Sequence, residues 1–220
     1  MLPPPIRKAL RILERQRSLA RRVLGTDPPG CVHHPQEGMM EENFRRAVEA
    51  IERAGAEWAL VGAEAVNMYV EPRATQDFDL VISGNKFDAV LREIRKEFGA
   101  IQEVDIGAAI RLPELGIDLI RSTSHALFRI ALERARPRED ARVPPAEVLM
   151  ALKFMSAISP WRKVGDRKQD AADVVKLYEA GGSSLDRDEM IRLAALVYPG
   201  AEREFTAMID KLDRGEAISI

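Results

Sequence analysis

The spacing of apolar positions splits the chain into two halves of different character. From 40 to 54, Phe44, Ala47, Val48 and Ile51 recur at helical intervals, and Gly55 ends the run. "EWALVG", 57–62, is a short apolar stretch that predicts a buried strand. "AEAVNMY", 63–69, reads as a short helix opening directly after Gly62. "DFDLVI", 77–82, predicts the next strand, and 85–98 a helix with Phe87, Val90, Leu91, Ile94 and Phe98 inward. Shorter strands are expected around 100–104, 108–112 and 115–120, the last two joined by the turn "PELG". After 121 the period is helical throughout, over 124–135, 145–159, 166–180, 185–198 and 201–213. The fold class is therefore α+β, a mixed β-sheet core with flanking helices followed by a C-terminal helical bundle. Three units are expected: 1–38, 39–122 and 123–220.

The first of these units holds an amphipathic stretch, 6–24, with Ile6, Leu10, Leu13 and Leu24 on one side. Seven Lys or Arg stand in it against one acid, Glu14, and a solvated helical face is the plainest meaning of that charge. "GTDPPGCVHHPQEG", 25–38, is a linker whose adjacent His33 and His34 have no zinc-spaced partner and read as a solvated loop. The net charge of −2 gives no global basic field asking for nucleic acid. The two tryptophans, Trp58 and Trp161, show no pattern with the basic residues that would signal base stacking. Cys31 is the only cysteine, which excludes an internal disulfide and fits a reducing cytosol. No apolar run approaches the roughly 20 residues that span a bilayer, and no secretory signal is present, so the expected location is the cytoplasm, away from membranes.

The chemistry concentrates in the strand 77–82. Alternate side chains share a face, so Asp77, Asp79 and Val81 point one way and Phe78, Leu80 and Ile82 the other. Two carboxylates converging on one spot repel and need a cation or strong donors to stay ionised. Mg²⁺, which favours carboxylate oxygens and is usually shared with substrate phosphates, suits them. Asp118 in "LGIDLI" lies between Ile117 and Leu119, facing away from both, and joins the pair if its strand neighbours 77–82. Upstream, Gly62 stands at a strand-to-helix junction, where free N–H groups and a glycine backbone can approach phosphate.

Val61-Gly62-Ala63, thirteen residues, Asp77-Phe78-Asp79 and a later Asp118 together resemble the signature of the DNA polymerase β superfamily of nucleotidyltransferases. The likeness spans about 57–120, and it departs from the pattern at Ala63, where that family usually has Gly or Ser. "EPRATQDFDLVI" resembles the Pro-Arg-x-Thr-x-Asp-x-Asp-Leu pattern of abortive-infection-type nucleotidyltransferases, which include toxins of toxin–antitoxin pairs. In the helical half, Lys153 is the one charge in "VLMALKFMSAI" and is followed by Arg167, Asp170 and Asp173. The resembling families carry a lysine there that faces the nucleotide phosphates.

The resemblance implies a nucleotidyltransferase-like core and transfer of a nucleoside monophosphate from an NTP such as ATP to an acceptor hydroxyl. It implies Mg²⁺ (or Mn²⁺) on Asp77, Asp79 and Asp118, with Asp118 also activating the hydroxyl by metal or as base, and Lys153 neutralising the phosphates. Gly62, Ala63, Arg73, Thr75 and Asp170 complete the nucleotide-binding set. Arg73 is either a partner of the carboxylates or a bidentate phosphate ligand, or else an exposed loop arginine; Asp170 either holds Lys153 or acts as a base, or else forms an internal helix–helix ion pair. For Asp173 a structural ion pair is the expectation. The acceptor is a tRNA end, a protein hydroxyl or an aminoglycoside, with a macromolecule favoured, and a cognate antitoxin is a further expected partner. A catalytically weak nucleotide- or RNA-binding module and a protein-interaction role are the rival readings.

Overall fold

The computed structural model describes residues 35–218; the basic stretch 6–24, Cys31, His33 and His34 lie outside the described residues. Helix α1 (Pro35–Arg53) starts five residues earlier than apolar spacing predicts, because proline is tolerated in a first helical turn. It leads into β1 (Trp58–Val61), the short α2 (Gly62–Asn67) and β2 (Phe78–Ile82). Helix α3 (Phe87–Phe98) buries Phe87, Val90, Leu91 and Ile94 on one stripe and ends at Gly99, whose φ of 76 breaks the helix. Then come β3 (Val104–Asp105), β4 (Ala109–Leu112) and β5 (Ile117–Arg121).

These strands form one sheet in the order β1-β2-β5-β4-β3. Neighbouring strands run antiparallel except β2 and β5, which are parallel. Register then sorts the side chains. Trp58, Leu60, Phe78, Leu80, Ile82, Ile117, Leu119, Ile110 and Leu112 share one face. Phe44 of α1 stacks on Phe78 at 4.4 Å and meets the edge of Trp58 at 6.3 Å, so α1, packed on α3, covers that face. On the other face one row across four strands reads Val61, Asp79, Asp118, Arg111, and the next Ala59, Val81, Ile120, Ala109. The apolar row is buried; the charged row opens into a cleft.

The helical half covers that second face. Helix α4 (Ala126–Arg134) lies on β1 and β2. Helix α5 (Ala146–Ile158) is apolar all round and buried, touching α2, α4, α6 (Val164–Gly181) and α7 (Arg187–Ala194). Helix α8 (Ala201–Asp213) packs on α7, and its Phe205 meets Phe154 of α5 edge-on at 5.0 Å. The buried side chains from Ala47 to Ile209 form one continuous cluster, shared by sheet and helices. No helix among the described residues is long and apolar enough to cross a membrane.

Three sequence expectations need correction. The strand expected at 100–104 lies at Val104–Asp105, and the helix expected to reach 198 ends at Ala194. A hairpin that apolar spacing does not show, β6 (Arg136–Arg138) with β7 (Ala141–Val143), precedes α5, and β7 lies beside β1. Its first strand is Arg-Pro-Arg and fully exposed, so it has no alternation to read.

Because the core is continuous, sheet and helices should unfold together. Phe205→Ala, which empties a fully buried site, is expected to cost about 3–5 kcal/mol. Urea unfolding followed in parallel by Trp58 fluorescence and far-ultraviolet dichroism should show a single coincident transition, shifted in the variant. Two separate transitions would contradict the shared core.

Candidate active site

The charged row owes its geometry to strand pairing. Asp79 and Asp118 are register partners in the parallel β2–β5 pair, and neighbouring strands lie about 4.8 Å apart. Protein surrounds Asp79 on most sides, although its side chain keeps a narrow opening to solvent. Burial pushes its carboxyl up to about 7, and Asp77 and Asp118 push the same way, with Lys153 and Arg162 opposing. Asp118 is also raised by burial, while Arg111 works against the shift from the adjacent strand, its Nε 3.2 Å from Asp118 Oδ2.

Gly62 makes room for this arrangement. It takes a φ of +69, and a Cβ there would stand 1.9 Å from Asp79 Oδ2. The next residue, Ala63, is buried and does not line the cleft. Asp77 precedes the first ladder residue of β2, rather than belonging to the strand, and is exposed. Thr75 Oγ1 donates to Asp77 Oδ1 at 3.0 Å, so Thr75 holds that carboxylate in place. The loop before it is pinned by Asn67, whose amide donates to the Arg73 carbonyl at 2.9 Å and accepts from the Arg73 N–H at 3.0 Å.

The cleft encloses about 200 Å³ between the sheet and α4–α6. Its charged lining is Asp79, Asp118, Asp170, Arg111, Lys153 and Arg162, set among Ile120, Phe128, Leu149 and Leu152. A larger cavity of about 360 Å³, beside Tyr69 and Arg138, contains none of these acids.

Lys153 is buried and bridges two acids, Asp170 at 3.0 Å and Asp173 at 2.8 Å. Asp170 in turn pairs with Arg162 at 3.0 Å. Asp173 accepts two hydrogen bonds from the Arg73 guanidinium, at 3.0 and 2.8 Å. Burial pushes Asp173 up, but Arg73 and Lys153 outweigh it and hold the carboxyl below its usual range. Arg73 is therefore committed to Asp173, neither to the carboxylates of the acidic strand nor to an open phosphate site. Of the readings of Asp170, the ion pair with Lys153 is the one the geometry displays.

Sequence reasoning missed Arg111, Arg162 and Asn67. Alternation in "AIRL" places Arg111 opposite Ile110 and Leu112, yet only strand order puts it against Asp118. Arg162 sits in a turn without period, and no sequence signal marks it.

Among the described residues no three His, Cys, Asp or Glu close into a preformed metal cage. A hard dication commonly takes one or two carboxylates and completes its shell with water and substrate phosphates. Asp79, adjacent to Asp118 and raised first by burial and then by Asp77 and Asp118, fits that oxygen donor set, with Asp77 at the rim.

A crystal structure of ANT(2'')-Ia in complex with adenylyl-2''-tobramycin superposes with a TM-score of 0.50 at 13% identity, over 74% of this chain and 96% of that one. The fold is of the nucleotidyltransferase type. A solution structure of the antibiotic-resistance factor ANT(2'')-Ia gives 0.48 at 13% identity, over 80% and 97% of the two chains. An antigenic nucleotidyltransferase-like protein from Paracoccidioides brasiliensis gives 0.47 at 15%, over 83% and 95%. No family model and no curated protein matches the sequence. In this nucleotidyltransferase-type fold the charged row crosses the middle of the sheet, beneath the helical half.

Two measurements probe the row. Between about pH 4 and 7 folded Asp79 keeps a proton that the unfolded chain releases, so this group lowers stability as pH rises across that window. Asp79→Asn should therefore match wild type near pH 4 and exceed it by about 1–2 kcal/mol at pH 8 in metal-free urea melts, a range discounted for partial exposure. Gly62→Ala should cost about 1–3 kcal/mol, and adding Asp79→Ala should recover part of that loss, because the obstructing carboxylate is gone.

Proposed function

We propose that the chain is a nucleotidyltransferase that moves a nucleoside monophosphate from an NTP, ATP among the candidates, to an acceptor hydroxyl. The observation that carries this reading is the pairing of Asp79 with Asp118 across parallel strands, in a cleft whose opposite wall holds Lys153 and Arg162. Asp77, Asp79 and Asp118 would hold Mg²⁺ or Mn²⁺. A bound dication supplies charge neutralisation on the triphosphate and lowers the pKa of a bound hydroxyl.

The chain's own groups do the rest. Gly62 lines the cleft directly against the Asp79 carboxylate, and its backbone would approach phosphate there. On the wall that lines the cleft, Lys153 and Arg162 stand with one acid, Asp170, so this wall attracts phosphate. Lys153 then faces the charge that develops on the departing pyrophosphate. Asp118 takes the acceptor proton, and Arg111 beside it opposes the rise that burial imposes on its carboxyl.

We extend the reading to a cytoplasmic toxin of a toxin–antitoxin pair, on the strength of Pro72-Arg73-x-Thr75-x-Asp77-x-Asp79-Leu80. The acceptor would then be a tRNA end or a protein hydroxyl. Modification of an aminoglycoside, the chemistry of the ANT(2'')-Ia complex, is the second reading.

Incubation with each α-labelled NTP, Mg²⁺ and one acceptor class at a time (total tRNA, candidate proteins, aminoglycosides) tests this directly. Label should transfer to one class and fall at least about 100-fold in Asp79→Ala and in Asp118→Ala. If NTP binds but no acceptor is labelled, the chain is a nucleotide-binding module instead.

A further inference from the structure

Trp161 is 94% exposed, whereas tryptophan is among the residues most buried on average. It lies in the turn that joins α5 to α6, and it is adjacent in sequence to Arg162, which lines the cleft with Asp79 and Asp118. The turn and the first turns of α6, 159–169, carry Arg162, Lys163, Arg167 and Lys168 against a single acid, Asp166. Arg162 is engaged by Asp170, and Arg167 turns back to the Ala157 carbonyl at 2.7 Å. Lys163 and Lys168 are exposed and form no ion pair among the described residues.

An exposed indole two residues before Lys163, at the head of a helix that also carries Lys168, has a specific complement. Unpaired bases stack on aromatic side chains, and their phosphates are drawn to nearby lysines. A protein partner is the less fitting occupant, because protein hot-spot tryptophans sit among contacts that exclude water rather than among free cations. We propose that Trp161, Lys163 and Lys168 form a docking strip for the unpaired end of a single-stranded nucleic acid. One base stacks on the indole, the flanking phosphates meet the two lysines, and the strand's end points past Arg162 into the cleft. As a binding surface the strip stands on its own exposure and charge; as a dock for the acceptor it rests on the nucleotidyl-transfer reading. The expectation of no base-stacking pattern is corrected at Trp161: Arg162 and Lys163 directly follow it, and they gain meaning because this tryptophan is bare whereas Trp58 is buried.

The chain provides its own probe. Trp58 is in the core at 5% exposure, so quenching of tryptophan emission by a soluble ligand reports on Trp161. A single-stranded RNA of about ten nucleotides should quench saturably, duplex RNA and free ATP much less. By anisotropy of labelled RNA, Trp161→Ala should weaken binding roughly 5- to 100-fold, while Trp161→Phe keeps most of it. Replacing Lys163 and Lys168 together with alanine should flatten the salt dependence by about 1.4 in log–log slope. Unchanged emission on adding RNA, undiminished binding by Trp161→Ala, or equal saturation by ATP alone would each overturn the strip. The two readings fail separately. Quenching without label transfer removes the enzymatic reading and keeps the strip, whereas undiminished transfer to RNA by Trp161→Ala removes the strip and keeps the enzyme.

Discussion

The burial of Asp79 beside two further acids, Asp118 and Asp77, governs the centre of this molecule and sets them against one another. Strand pairing fixes the backbones of Asp79 and Asp118 side by side, so neither acid can retreat without breaking the ladder. The surroundings answer the repulsion in three ways. Asp79 holds a proton up to about neutral pH, Arg111 lies against Asp118, and Lys153 with Arg162 closes the cleft from the helical side. The compensation is partial. A fully neutralised pair would be a structural ion cluster, and the raised pKa of Asp79 marks a site where an incoming cation would be favourable.

The ion pairs on the far wall have a second job. Arg73 belongs to the loop that delivers Thr75 and Asp77, while Asp173 and Lys153 belong to α6 and α5. Their bonds tie that loop to the helical half across a separation of 100 residues. Buried ion pairs give little net stability by themselves, because desolvation offsets the attraction. Their value here is positional. Removing one member would leave a buried charge unpaired, so the loop and the two helices hold one arrangement.

Much of this was legible in the sequence, and the limits were physical. Apolar period gave α3, α5 and α8 and the alternation that puts Asp79 and Leu80 on opposite faces, because those elements bury a regular stripe. Lys153 announced itself as a lone charge in an apolar helix. What could not be read was anything that depends on strand order. Arg111 opposes Asp118 only because β4 pairs with β5, and the commitment of Arg73 to Asp173 needs two segments far apart in the chain. The β6–β7 hairpin escaped because its exposed Arg-Pro-Arg strand buries nothing. Its turn needs a φ of 53 at Glu139, a conformation that glutamate does not advertise.

The parallel pairing of β2 with β5 carries a consequence for the order of events as the chain folds. A parallel pair cannot close through a tight hairpin; here α3, β3 and β4 intervene, so the ladder forms only after a long stretch has been made. Until then Asp79 and Asp118 are separate, solvated anions. Arg111 arrives with β4, but the other cations that ease their approach lie later still, at Lys153 and Arg162. The acids therefore remain apart until β5 has been made, and a nascent chain cannot hold the complete charged cleft before the helical half through Arg162 has emerged.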